Sequence, residues 1–81
     1  MRFRKKPVEI YAVQWTGLNL DECIEFLGES FNGHFHLNRL MIGTIKGEHT
    51  ASKGDWLIRG VKGEHYPCKP DIFEATYEAV E

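Results

Sequence analysis

The sequence predicts an α+β fold: a curved antiparallel sheet of about five strands, one helix after the first strand, and a short C-terminal helix. Three observations predict it. An apolar, β-branched run over residues 8–15 precedes a helical stripe at Leu20, Cys23, Ile24 and Leu27. Lys-Gly pairs at 46–47, 53–54 and 62–63 then punctuate strand-like runs. Pro70 opens a final apolar-sided segment.

Val8 to Trp15 shows Val8, Ile10 and Ala12 on one face and Tyr11, Val13 and Trp15 on the other. Both faces are largely apolar, which predicts a strand central in its sheet. Thr16-Gly17 ends it. Asn19 then starts a helix over 19–28, its side chain placed to cap the first-turn amides, with Glu22 three residues on. Gly28 suits the left-handed stop.

Asn32-Gly33 reads as a turn, and His34 to Leu37 as a short edge strand. Leu40 to Ile45 is a strand whose Gly43 marks a bulge. Lys46-Gly47 turns the chain and Glu48 to Ser52 returns. Lys53-Gly54-Asp55 turns again into Trp56 to Val61, and Lys62-Gly63 turns into Glu64 to Cys68. Each of these glycines sits where a tight turn requires a positive φ. The second half is therefore expected to be a meander of antiparallel hairpins. Pro70 fits the first helical position and Asp71 the positive end of the dipole.

With 81 residues the chain is one domain, 1–81. A domain this small buries only about 60–65% of the surface its unfolded chain exposes, so a few large apolar residues must carry the core. Apolar residues make up 42% and charged residues 27%, as in ordinary soluble globules. No apolar run approaches the roughly 18–20 residues of a membrane span, and no partnership with a membrane is expected. The basic start runs into Pro7 and Glu9, unlike a secretory signal, so a cytoplasmic protein is expected. Two cysteines are too few for a disulfide scaffold, and Cys23 reads as a small core residue.

Residues 1–10 carry four basic groups against one acid, and the rest of the chain six against eleven. A basic arm on an acidic body is one route to nucleic acid, although such a start is more often a solvated strand end.

Weak signals point to chemistry. His34 and His36 share a strand face by alternation, and His65 and Cys68 are three apart; together they offer four zinc ligands of acceptable type without a Cys-x2-Cys pair. Cys68 with His65 or His49 and a carboxylate of Glu64 or Asp55 offers thiolate catalysis, against the plainer reading of an unreactive thiol between prolines. Asp21, Glu22, Glu25 and Glu29 read as a solvated helix face, and no phosphate-loop glycine spacing occurs. No enzyme activity, metal or cofactor is expected.

Trp56, Arg59, Lys62, His65 and Tyr66 cluster more densely. Aromatic and arginine side chains anchor protein partners or stack bases. Trp56 falls on the face of Ile58, opposite Arg59, and reads as core. The surface most suited to binding is therefore the 59–69 hairpin, with Arg59, Lys62, His65, Tyr66 and Lys69 as its binding residues.

The start, Arg4-Lys5-Lys6-Pro7-Val8-Glu9-Ile10 followed by Ala12-Val13-Gln14-Trp15-Thr16-Gly17, resembles that of small proteins of tailed phages and prophages. Gly54 to Phe73 and Ala75-Thr76-Tyr77-Glu78 resemble the same group's later segments. A related group carries a Pro-Gly-Asp-Tyr-Gly motif; here Lys53 replaces the proline, Trp56 the tyrosine and Leu57 the second glycine. Residues 28–40 are unmatched. The resemblance implies a phage gene product of unknown function in a bacterial cytoplasm, and no mechanism. The expected function is non-enzymatic binding of a host or phage protein. A nucleotide or nucleic acid is the rival partner, a zinc-dependent protein the third reading, and homodimerisation through hairpin edges is open.

Overall fold

Six short strands, two α-helices and one 3-10 turn follow one another in the described residues of the computed structural model, 10–35, 38–44 and 47–78. The order is β1 (Tyr11–Gln14), α1 (Leu20–Leu27), a 3-10 turn (Gly28–Ser30), β2 (Phe31–Phe35), β3 (Arg39–Thr44), β4 (Gly47–Ala51), β5 (Trp56–Arg59), β6 (His65–Cys68) and α2 (Pro70–Thr76). The fold is α+β, with the helix after β1 and the short C-terminal helix where the sequence places them.

The strands divide between two antiparallel sheets of three, in the orders β1-β5-β6 and β2-β3-β4. The expected meander is therefore interrupted between β4 and β5. The reason lies at residues 52–55. Asp55 Oδ2 accepts a hydrogen bond from the Ser52 amide at 2.9 Å, and the Asp55 amide donates to Ser52 O at 2.9 Å. The outer side of this turn is taken by β1: Trp15 N donates to Asp55 O at 2.9 Å, and Gly54 N to Trp15 O at 2.6 Å. β5 thus leaves the turn already paired with β1, in the register Gln14↔Trp56 to Tyr11↔Arg59.

β5, and not β1, is the central strand of its sheet. Its neighbouring residues Leu57 and Ile58 point to opposite faces and are both fully buried. β1 is an edge strand whose Tyr11 is 69% exposed, so the apolar character of both its faces misleads about its place.

The main core lies on the Leu57 side. Trp15, Cys23, Leu27, Leu40, Ile42, Ala51 and Leu57 are buried together, with Val13, Leu20, Phe26 and Phe31 packed around them. Trp15 is the core tryptophan, and its Nε1 donates to Asn38 O at 2.5 Å. Trp56 is half-buried on the opposite face and lies flat against Phe73 of α2. The β1-β5-β6 sheet is accordingly covered on one face by α1 and the second sheet, and on the other by α2.

Asn19 does not cap α1 with its side chain. Its Oδ1 accepts from the Thr16 amide and hydroxyl, both at 3.0 Å, while its Nδ2 donates to Gln14 O and Glu22 Oε1. The side chain instead braces the β1–α1 loop through the Thr16 donors and Gln14 O. Gly28 closes the helix at a φ of 54°.

Asn32-Gly33 lies inside β2 rather than in a turn: the register against β3 slips between Phe31 and Gly33. The bulge is here, where Gly33 has a φ of 140°, while Gly43 keeps regular pairing with Glu48. The start of the first predicted strand, residues 36–37 and Lys46 of the predicted turn lie outside the described residues. Among the described residues no helix is long and apolar enough to cross a membrane.

Candidate functional site

The β5–β6 connection is a locked turn. Gly60 N donates to Glu64 O at 2.8 Å and Gly63 N to Gly60 O at 3.0 Å. The Glu64 carboxylate folds back to accept the Lys62 amide at 3.0 Å. It occupies the space where a Cβ at residue 60 would stand, so glycine at 60 makes this return possible. Gly63 turns at a φ of 83°, which a side chain would disfavour. Val61, 71% exposed, and the exposed Lys62 project from this frame.

Beside the turn opens a cleft of about 600 Å³, lined by Glu29 and Ser30 of the 3-10 turn, Gly43 and Thr44 of β3, and residues 62–65. His65 joins its walls. Its Nδ1 lies 2.8 Å from Ser30 Oγ, across 35 positions of sequence. The ring meets Phe26 edge-on at 5.4 Å between centroids. Its Nε2 is buried and makes no hydrogen bond of ordinary geometry, although the Phe26 backbone still favours the ring's protonation. Burial and, after it, the Arg59 guanidinium lower the pKa of His65 below its usual value; the Phe26 backbone and Glu64 oppose them more weakly. Together these favour the neutral imidazole.

The five residues read as a binding patch are distributed over both faces of the sheet. Arg59 and His65 are cross-strand partners on the inner face. The Arg59 guanidinium lies 5.0 Å from the Tyr11 ring centre and 5.3 Å from that of Phe26, so it is already engaged. Tyr66 pairs with Ile58 and points to the other face. There it lies beside the Tyr77 phenol, and burial foremost, then that neighbour, pushes its pKa to about 12. Lys69 reaches Asp55 Oδ2 at 3.3 Å. Only Lys62 and His65 border the cleft.

His65 and Cys68 cannot act together. Three positions apart in β6, they face opposite sides of the strand. Burial, then Asp55 and Asp71, raise the Cys68 thiol pKa, the reverse of activation, and its Sγ–H donates to Lys69 O at 3.6 Å. Cys23 is raised to about 11, chiefly by burial, and both thiols are free. Among the described residues no three or more His, Cys, Asp or Glu side chains are arranged to hold a metal ion. His36 of the expected zinc set lies outside those residues, and His34 belongs to β2. The basic arm at Arg2, Arg4, Lys5 and Lys6 also lies outside them.

Sequence reasoning missed Ser30, Glu29 and Thr44. Nothing in their local pattern marks them, since the contact that assembles the cleft joins segments far apart in sequence. Comparison with known protein families, curated proteins and solved structures found no match.

Proposed function

We propose that the protein is a non-enzymatic binding module that docks a protein partner onto the β5–β6 turn. One observation carries this reading: an exposed valine and an exposed lysine are held side by side on a turn fastened by three hydrogen bonds. Such a turn loses little conformational entropy on binding, so an apolar contact at Val61 and a carboxylate against Lys62 retain most of their interaction energy. The cleft beside it accepts a side chain of the partner. The resemblance of both ends of the chain to tailed-phage proteins supplies the setting, a bacterial cytoplasm with a host or phage protein as partner.

A stacked nucleotide or nucleic acid is less well served. Trp56 is occupied by Phe73, Tyr66 by Tyr77, and Arg59 by Tyr11 and Phe26. The test is affinity capture from lysogenic bacteria with wild-type protein and with a Val61→Asp, Lys62→Glu double variant. A protein retained by wild type, kept as salt rises and lost in the equally stable double variant supports the reading. Recovery of nucleic acid that falls steeply with salt, or of the same protein by both baits, rejects it.

A further inference from the structure

The cleft holds a hydroxyl and a neutral imidazole in direct contact, and the binding reading uses neither. We propose that Ser30 is an acylation site, its hydroxyl activated by His65 to attack a small, uncharged activated ester or thioester held in the cleft. In the tautomer that suits this contact, Ser30 Oγ–H donates to His65 Nδ1 across 2.8 Å, and the ring proton sits on the other nitrogen. A neutral imidazole within hydrogen-bond reach of a hydroxyl is the arrangement that general-base activation of a nucleophile requires.

The surroundings fit that role. His65 is held from two sides, by Phe26 at its edge and by its β-ladder pairing with Arg59. Gly43, also in the lining, adds no side chain to the cleft. Lys62 lines the same cleft and supplies positive charge for the carbonyl oxygen as it becomes an oxyanion. Glu29 and Glu64, also in the lining, repel anionic donors and select an uncharged or cationic acyl group.

The step balances within the named groups. The Ser30 Oγ–carbon bond forms as the bond from the acyl carbon to its alkoxide or thiolate leaving group breaks. The hydroxyl proton passes to His65 Nδ1 and from there to the leaving group. The product is a serine ester and a free alcohol or thiol. The proposal covers this single transfer.

The test uses the full chain with p-nitrophenyl acetate, followed by intact mass and peptide mapping. One acetyl group on Ser30 is expected, with the half-buried Ser52 unmodified. His65→Gln, which keeps a polar partner for Ser30 but no base, should slow labelling on the order of 100-fold. In wild type the labelling rate should rise with pH and level off below about 6.5, the ordinary histidine value, because the folded pKa is lowered. Acetylation confined to lysines, equal labelling of Ser52, or a rate that climbs without a plateau below pH 7 overturns the proposal. Should His65→Gln fail to fold, the wild-type pH profile and the mapped position still decide it.

Discussion

Trp56 lies parallel to Phe73, with ring centroids 4.1 Å apart and planes 7° from coplanar orientation. Phe73 in turn meets Tyr77 at 5.1 Å, and Tyr77 lies beside the Tyr66 phenol. This chain of rings fastens α2 to the sheet, since the helix has no fully buried residue of its own. Phe73→Ala removes the central ring. A cost of about 2 kcal/mol is expected, below the 3–5 of a fully buried phenylalanine because the site is only half-buried. Denaturant unfolding followed by tryptophan fluorescence measures it; a change under about 0.5 kcal/mol would show that the stack does not hold the helix.

Asp55 and Lys69 form an ion pair whose two sides differ in exposure, 6% for the aspartate side chain and 61% for the lysine. Lys69→Ala should cost less than about 0.5 kcal/mol, as for other exposed partners. Asp55→Ala also strips the acceptor from the Ser52 amide and should cost about 1–3 kcal/mol. Equal effects of the two substitutions in urea unfolding would contradict the role of Asp55 in the turn that separates β4 from β5.

His65 makes stability depend on pH. Its folded pKa is lowered, so below about 6.5 the unfolded chain takes up a proton that the folded one resists. The full contribution is present above that pH and is lost progressively as pH falls toward the folded pKa, below which no further loss comes from this group. His65→Gln should flatten this part of the stability profile. A ring-proton titration by NMR midpoint at or above 6.5 would remove the basis for the prediction.

Gly60→Ala and Gly63→Ala test the turn by different routes. An added Cβ at 60 displaces the Glu64 carboxylate, so the cost, about 1 kcal/mol, should vanish in a Glu64→Ala background. At 63 the penalty is conformational, about 1–2 kcal/mol at a φ of 83°, and should persist in that background. A double-mutant cycle by thermal or urea unfolding separates the two.

Much of the order of elements was legible. The stripe from Leu20 to Leu27, the glycines at 28, 54 and 63, and Pro70 each act through local backbone geometry, which needs no tertiary partner. The candidate site was legible only in part. Lys62 and His65 border the cleft, whereas Tyr66 faces α2 and Lys69 the Asp55 turn. Alternation along β6 assigns these opposite faces, but not what covers each face.

The amino-acid order alone determined the two helices and the turns at 52–55 and 60–64, because φ preferences and side-chain spacing operate within a few residues. Tertiary structure decided which strands pair, which tryptophan is buried, and that Ser30 meets His65. Those outcomes rest on contacts between segments far apart in the chain, such as Trp15 with the 54–55 turn, where competing pairings are similar in local propensity and only the whole packing distinguishes them.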